Sequence, residues 1–330
     1  MPLSGPYGIE GTKLAELIKL GLEDNINGFI TTTTYDVSTE DFLDQAKNKL
    51  ALKNTKIILG PLFSPSVKQL EEFVKQNDIT MITLSNNALL ADDNSILIFG
   101  HAPLKQTNRM LGYLFSKGHK DFIILAPSGK HGLNLSRALS DMIYANNARV
   151  ILSEYYENNP PSIEQAINKI SQKTDEIMED VENESKPVIL ISEENPDILK
   201  EIFNNLKKSN LDEKALIAGD SRIDFGFRED IHYLYTGSNS ENAGLALKVK
   251  NQLGIERMNF LENLAYDLGA ITSISIGEDY SKETFWSRLK SPVWYKGLSG
   301  ELRFKGPILE RKYSIIERSN LEYKILDHPN

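Results

Sequence analysis

The stretch Ile57-Ile58-Leu59-Gly60-Pro61-Leu62-Phe63-Ser64-Pro65-Ser66, followed by Ile79-Thr80-Met81-Ile82 and Ser85-Asn86-Asn87, states one grammar twice. A short apolar run stops at Gly60-Pro61. Ser64-Pro65-Ser66 then opens a helix whose apolar stripe is Val67, Leu70, Phe73 and Val74. The second apolar run ends in the polar turn Ser85-Asn86-Asn87. Apolar runs that end in small polar residues at helix starts are how open α/β sheets build a ligand crevice along one edge. The same grammar recurs over 122–128, 188–193 and 215–220.

Outward from this stretch, helices and strands alternate. Residues 8–23 carry Leu14, Leu17, Ile18 and Leu22 at helical spacing, and the β-branched run 31–35 predicts a strand. Ser38-Thr39-Glu40-Asp41 resembles a capping box. A helix over 162–181 is marked by Ile163, Ala166, Ile167, Ile170 and Ile177, and runs into the acidic segment 179–184. Strands separated by helices predict parallel sheets with right-handed crossovers. Beyond residue 236 the pattern changes: amphipathic helices are expected over 243–250 and 261–274. Residues 297–304 and 313–317 then alternate apolar and polar residues, as an antiparallel ribbon does.

A chain of 330 residues exceeds what one compact core holds, so two lobes are expected. Lys and Arg number 37 against 46 Asp and Glu, a net charge of −9, which argues against nucleic acid or an anionic membrane surface as a partner. There is no cysteine, hence no disulfide, thiolate metal site or cysteine nucleophile. No apolar stretch approaches the roughly 20 residues of a spanning helix. Met1-Pro2-Leu3-Ser4-Gly5-Pro6 reads as the end of a strand and its turn. A full strand is therefore expected before it, and any export signal or lipid-bearing cysteine would be missing with that strand.

Leu3-Ser4-Gly5-Pro6-Tyr7 with Gly11, the Gly60–Ser66 turn, Ala265-Tyr266-Asp267, and Gly297-Leu298-Ser299-Gly300 before Leu302-Arg303-Phe304 carry a resemblance. In this order they resemble the type I periplasmic binding proteins, the leucine-binding-protein class. The Gly-Pro-Leu-Phe-Ser-Pro wording with Ser85-Asn86 is most similar to the branch of penicillin-binding protein activators. The resemblance implies an α/β fold of two doubly wound parallel-sheet lobes joined by a three-crossover hinge. Lobe one would take 1–101 and 236–291, with its first strand truncated, and lobe two 102–235 and 292–330. The truncation would leave the lobe-one sheet with an unpaired neighbour. Hinge closure would bury a ligand between the lobes.

Ser4, Ser64, Ser66, Ser85, Asn86, Asn87 and Ser128 follow strands at expected helix starts, where backbone N–H groups and the helix dipole favour an anion. Each is also a preferred helix cap. As a set on one edge, they outline a cleft. In the amino-acid receptors of the class, Ser64 and the Ser85–Asn87 turn match the positions that hold the ligand. Asp220, with Glu193 and Glu194 after the preceding strand, matches the carboxylate for the ligand's ammonium, or else serves as a turn residue. His131, before Gly132, stands where the class usually carries an aromatic, leaving Phe63 and Tyr7 as the aromatics near the cleft turns.

The five histidines are scattered, without an i, i+4 pair, and no Gly-x-Ser-x-Gly elbow occurs. No metal site, cofactor or catalytic residue is expected. Two functions remain. One is a non-catalytic periplasmic regulator, like the penicillin-binding protein activators, that docks a cell-wall synthase. The other is a solute receptor that passes an amino acid or similar polar ligand to an ABC permease.

Overall fold

The computed structural model describes residues 1–330 apart from 25–29, 53, 101–102, 180–184, 194, 227, 238–242, 255–257, 278–279, 320–321 and 329–330. The chain divides into two compact units, Met1–Ala102 with Ser240–Lys312, and Pro103–Asn239 with Tyr313–Asn330, and passes between them three times. Unit 1 begins with α1 (Gly8–Glu23), α2 (Phe42–Leu52), β1 (Ile57–Leu59), α3 (Ser64–Gln76), β2 (Thr80–Thr83) and β3 (Ile96–Ile98). Unit 2 follows with α4 (Pro103–Ser116), β4 (Asp121–Pro127), α5 (Lys130–Ala145), β5 (Arg149–Tyr156) and α6 (Pro160–Met178). It continues through β6 (Val188–Ile191), α7 (Pro196–Lys208), α8 (Leu211–Lys214), β7 (Leu216–Gly219) and β8 (Tyr233–Gly237). The chain returns to unit 1 with α9 (Ala243–Leu253), α10 (Phe260–Ile276), α11 (Lys282–Leu289), β9 (Tyr295–Gly297), β10 (Gly300–Lys305) and β11 (Ile308–Arg311). Finally, β12 (Ser314–Ser319) and β13 (Glu322–Asp327) complete unit 2.

Both sheets are wound on two faces. In unit 2 the order is β13-β12-β8-β7-β6-β4-β5, and every pairing from β8 to β5 is parallel. Alternate residues of its strands enter separate cores: Ile123, Leu125, Ile189 and Ile191 on one face, Phe122, Ile124, Val188 and Leu190 on the other. Strands buried on both faces read as continuous apolar runs, which is why these segments lack polar alternation. Unit 1 has the order β1-β2-β3-β11-β10-β9, parallel from β1 to β11 and antiparallel through the ribbon β9–β11. Ile82, Leu97 and Phe99 face the core built with α1 and α10, and Met81, Ile96 and Ile98 the core built with α2 and α3.

The structure moves one expected boundary. Residues 292–312 belong to unit 1 rather than with 313–330, because the ribbon β9–β11 joins the first sheet through β11, where Ile308 pairs with Ile98 of β3. It also removes an element: the β-branched run 31–35 forms no strand, and Thr31 to Thr34 are exposed. The capping box forms not at Ser38 but at Asn259 and Glu262, which start α10. Of the acidic segment 179–184, all but Glu179 lies outside the described residues.

Unit 1 is assembled from two distant pieces of sequence, and α1 and α10 join them. A Cβ on Gly21 would stand 2.1 Å from the carbonyl oxygen of Tyr266, and one on Gly269 would stand 2.1 Å from that of Ile18. The helices meet backbone to backbone at these two glycines. Gly269→Ala must therefore spread the pair, and is expected to cost on the order of 1–3 kcal/mol in urea unfolding; an unchanged midpoint would contradict the close approach.

A second join is polar. Asp267, wholly buried in α10, accepts hydrogen bonds from Leu298 N (2.7 Å), Ser299 N (2.7 Å) and Ser299 Oγ (2.6 Å). Burial raises its pKa to about 6 despite these donors. The folded state thus holds this proton more tightly than the unfolded chain does. That contribution is full below the ordinary carboxylate range and is lost as pH rises through about 6. Relative to Asp267→Asn, the parent chain should gain about 2 kcal/mol of stability between pH 7.5 and pH 4.5. Urea titrations at both pH values measure this, and a gain in the opposite direction refutes it.

Candidate functional site

In each unit the candidate residues sit where parallel strands end. Ser64 and the Ser85–Asn87 turn follow β1 and β2; Ser128, Glu193 and Asp220 follow β4, β6 and β7, which are neighbours in their sheet. This is the crevice edge of a doubly wound sheet.

In unit 1 the structure brings Ser64 and Ser85 together, with their Oγ atoms 2.7 Å apart. Ser64 is the first residue of α3, with Pro65 behind it supplying a preset φ and no N–H. Ser85 is buried; its N–H donates to Thr83 Oγ1 (3.0 Å), and its Oγ accepts from Asn87 N (3.2 Å). Thr83 Oγ1 in turn donates to Pro61 O at 2.6 Å, tying the two strand ends to each other. Sequence reasoning missed Thr83; its signal was a β-branched hydroxyl two residues before the turn.

The other unit 1 candidates have different roles. Asn87 acts as a cap, its Oδ1 accepting from Leu89 N (3.1 Å), and Asn86 is exposed at the tip. Ser66 lies within the first turn of α3 and donates its N–H to Phe63 O (3.1 Å). Ser4 is exposed and hydrogen-bonds Asp36, whose carboxyl is held down to about 2, first by that bond and further by the Leu3 and Ser38 N–H groups. The rings of Tyr7 and Phe63, the latter next to Ser64 in sequence, pack against each other with centroids 5.0 Å apart.

In unit 2 Asp220 is buried, with a side chain only 4% exposed, and it is already engaged. Arg222 grips it from the same turn: Nη2 donates to Oδ2 at 2.6 Å, and Nε and the backbone N–H donate to Oδ1 at 2.9 Å each. Arg222 Nη2 also reaches Ser192 Oγ (3.3 Å), linking the ends of β6 and β7. Glu193 accepts from Tyr156 OH at 2.5 Å and from Asn195 N at 2.8 Å, a bond that orders the entry to α7. Burial is the main cause that pushes the Tyr156 hydroxyl far up, so it stays a donor. Ser128 is exposed, with its N–H bonded to Tyr156 O (2.7 Å), and His131 lies in the first turn of α5. Glu194 and the His131 side chain lie outside the described residues. Sequence reasoning missed Arg222 and Tyr156. Arg222 was readable as a cation two residues from the acid in one turn, whereas Tyr156 sat unmarked at the end of an apolar strand.

A carboxylate with a bidentate guanidinium partner makes a poor seat for an incoming ammonium, since the arginine must first be displaced. The edge of unit 2 instead offers a guanidinium fixed between Asp220 and Ser192, and that of unit 1 offers paired hydroxyls. Hydroxyls and guanidinium groups are chemically suited to hydrogen-bond polar or anionic atoms. Among the described residues, no group of three or more His, Asp or Glu could hold a metal ion. Arg222→Gln strands a buried carboxylate and is expected to lose about 3 kcal/mol in urea unfolding. Arg222→Lys should recover less than half of that, because an ammonium cannot reproduce the two-pronged contact.

Comparison with known proteins gives a matching lineage. The family model described as "Receptor family ligand binding region" matches residues 27–265. An uncharacterised protein of Rickettsia prowazekii is 39% identical over 324 residues, covering 98% of this chain and 86% of that protein. The penicillin-binding protein activator LpoA of Aliivibrio fischeri is 22% identical over 171 residues, 52% of this chain and 28% of the activator. Among solved structures, an ABC transporter substrate-binding protein from Sphaerobacter thermophilus superposes with a TM-score of 0.78 at 12% identity, covering 99% of this chain and 94% of that one. A branched-chain amino acid ABC transporter periplasmic ligand-binding protein from Burkholderia xenovorans gives a TM-score of 0.76 at 11% identity, covering 100% and 92%. The fold is that of the type I periplasmic binding proteins.

Proposed function

The chain belongs to the family of receptor ligand-binding regions, and from that premise we propose a non-catalytic periplasmic regulator that docks a cell-wall synthase, in the manner of the penicillin-binding protein activator that half of the chain resembles. The observation that carries this reading is the Asp220–Arg222 clasp. The carboxylate that would take the ammonium of an amino acid is closed from within its own turn. A protein that keeps the strand-edge scaffold but occupies its ammonium seat uses its surfaces rather than a captured amino acid. The similarity to an activator over half of the chain points the same way. On this reading Ser4, Ser66, Asn87 and Glu193 serve the turns they cap or brace, and a lipid anchor would hold the protein near its synthase.

A second reading rests on a different observation. The Ser64–Ser85 hydroxyl pair at the end of the first sheet suits a ligand carboxylate, and the solved neighbours include solute-binding proteins of ABC transporters. The chain would then be a receptor for a small anion held at the strand-end turns of unit 1.

Thermal denaturation in the presence of amino acids separates the two. A ligand at 100 times its dissociation constant adds about 2.7 kcal/mol to the folded state. The regulator reading expects no such shift with leucine or related amino acids, and expects a penicillin-binding synthase to be retained by the immobilised protein. A shift abolished by Ser64→Ala and Asp220→Ala, without retention of a synthase, overturns it in favour of the receptor.

A further inference from the structure

The chain crosses between the units after residues 102, 239 and 312. On the unit 2 side, the first two turns of α4 hold it beside all three crossings. Crossing one is covalent, since Pro103 opens the helix. Gln106, wholly buried in the first turn, accepts from Thr236 Oγ1 (3.0 Å) on β8, shortly before crossing two, and from Ser221 N (2.8 Å). Arg109, one turn further along the same helix face, donates from Nε to the carbonyl oxygen of Tyr313 (3.2 Å), the first residue after crossing three. Its Nη2 donates to Asp327 Oδ2 (2.7 Å) and His328 O (3.2 Å), at the end of β13.

Unit 1 has its own clamp. Arg311, the last residue of β11, donates from Nη2 to Phe99 O (2.6 Å) and from Nη1 to Gly100 O (3.3 Å), where the chain first leaves this unit. The guanidinium lies 5.3 Å from the centre of the Phe260 ring and 5.8 Å from that of Phe99, so cation–π attraction adds to the two bonds. Lys312 is bound as well. Its N–H donates to Glu301 O (3.1 Å), and its ammonium pairs with the Glu301 carboxylate at 2.9 Å.

Crossing three is therefore clamped up to Lys312 on one side and from Tyr313 on the other, which leaves a single peptide link between the clamps. By contrast, two residues separate Gly100 from Pro103, and five separate Gly237 from Ala243. Units of one chain turn against each other by default, and a few backbone dihedrals absorb the change. Two bodies joined by one short link keep that point in common, so any such turn has its axis there and the longer links follow.

We propose that the Lys312–Tyr313 link is the pivot about which the two units turn, with Arg109 and Arg311 as the positioning residues that confine the turn to it. Removing either guanidinium frees chain beside the link and spreads the bend over several residues. This inference does not depend on whether the crevice edge binds a solute or the protein docks a synthase.

The chain has no cysteine, so Lys68→Cys in α3 and Lys200→Cys in α7 give one spin-label site on each unit. The distribution of label-to-label distances and amide exchange over 311–316 are measured for the parent chain, Arg109→Gln, Arg311→Gln and two Gly-Gly insertions. One insertion lies between Lys312 and Tyr313, the other between Ser240 and Glu241. Each arginine variant is expected to speed exchange over 311–316 by on the order of 10-fold, with β4 and β6 unaltered, and to widen the distance distribution. The insertion after Lys312 should widen it too, while the insertion after Ser240 leaves the parent width. Equal widening by the two insertions, or a parent-like distribution in both arginine variants, overturns the pivot. Should the arginine variants fail to fold, Asp327→Asn, which keeps the guanidinium and weakens its hold, is measured instead. Faster exchange over 311–316 then supports the clamp, and unaltered exchange overturns it.

Discussion

The contact on which unit 1 depends is the backbone-to-backbone meeting of α1 and α10. Gly21 faces the Tyr266 carbonyl and Gly269 faces that of Ile18, so two helices more than two hundred residues apart in sequence approach as closely as side chains allow. Neighbouring polar contacts fix the register. Tyr266 OH donates to Asp24 (2.9 Å), which also pairs with Lys248 of α9 at 2.9 Å. The next residue of α10, Asp267, holds the turn between β9 and β10. Helix pairing and sheet completion are therefore one event, because adjacent residues of a single helix turn serve both.

The same economy governs the strand ends. Ser64, Ser85 and Thr83 bind one another and Pro61, so the edge of the first sheet is rigid before any partner arrives. Arg222 does likewise for the second sheet by clasping Asp220 and Ser192. Buried polar groups carry a heavy penalty if unpaired, and Ser64, Thr83, Ser85 and Asp220 satisfy theirs locally, although the Ser221 hydroxyl beside Asp220 is buried without a partner. An edge that is satisfied alone has less to gain from a small ligand, which is why the regulator reading is preferred here.

Much of this was legible in the sequence. Apolar runs with helical or strand period located α1, α3, α6, α10 and the central strands, because burial imposes those periods directly. The ribbon over 300–304 also formed as its alternation foretold. What escaped had non-local causes. Residues 31–35 have strand composition, but a strand needs a neighbour, and propensity does not supply one. The resemblance puts residues 292–312 with the other lobe, and their alternation does not correct it, because it predicts an antiparallel ribbon without saying which sheet receives it. At the site, Asp220 was visible as an acid in a turn. Its role was decided by Arg222, whose side chain could have pointed elsewhere.

The interleaved path has a consequence for how the protein is made. A ribosome delivers residues in order at about 5–20 per second. Unit 2 has its five parallel strands, β4 to β8, once residue 237 has emerged, and lacks only the outer pair β12–β13. Unit 1 is in the reverse situation: its opening hundred residues leave the ribosome early but wait for α10 and the ribbon to cover them. The second-encoded half thus matures first, while the first-encoded half spends its nascent life with an uncovered apolar face. Chaperone dependence, and the harm done by stalled or shortened translation products, should concentrate in residues 1–102.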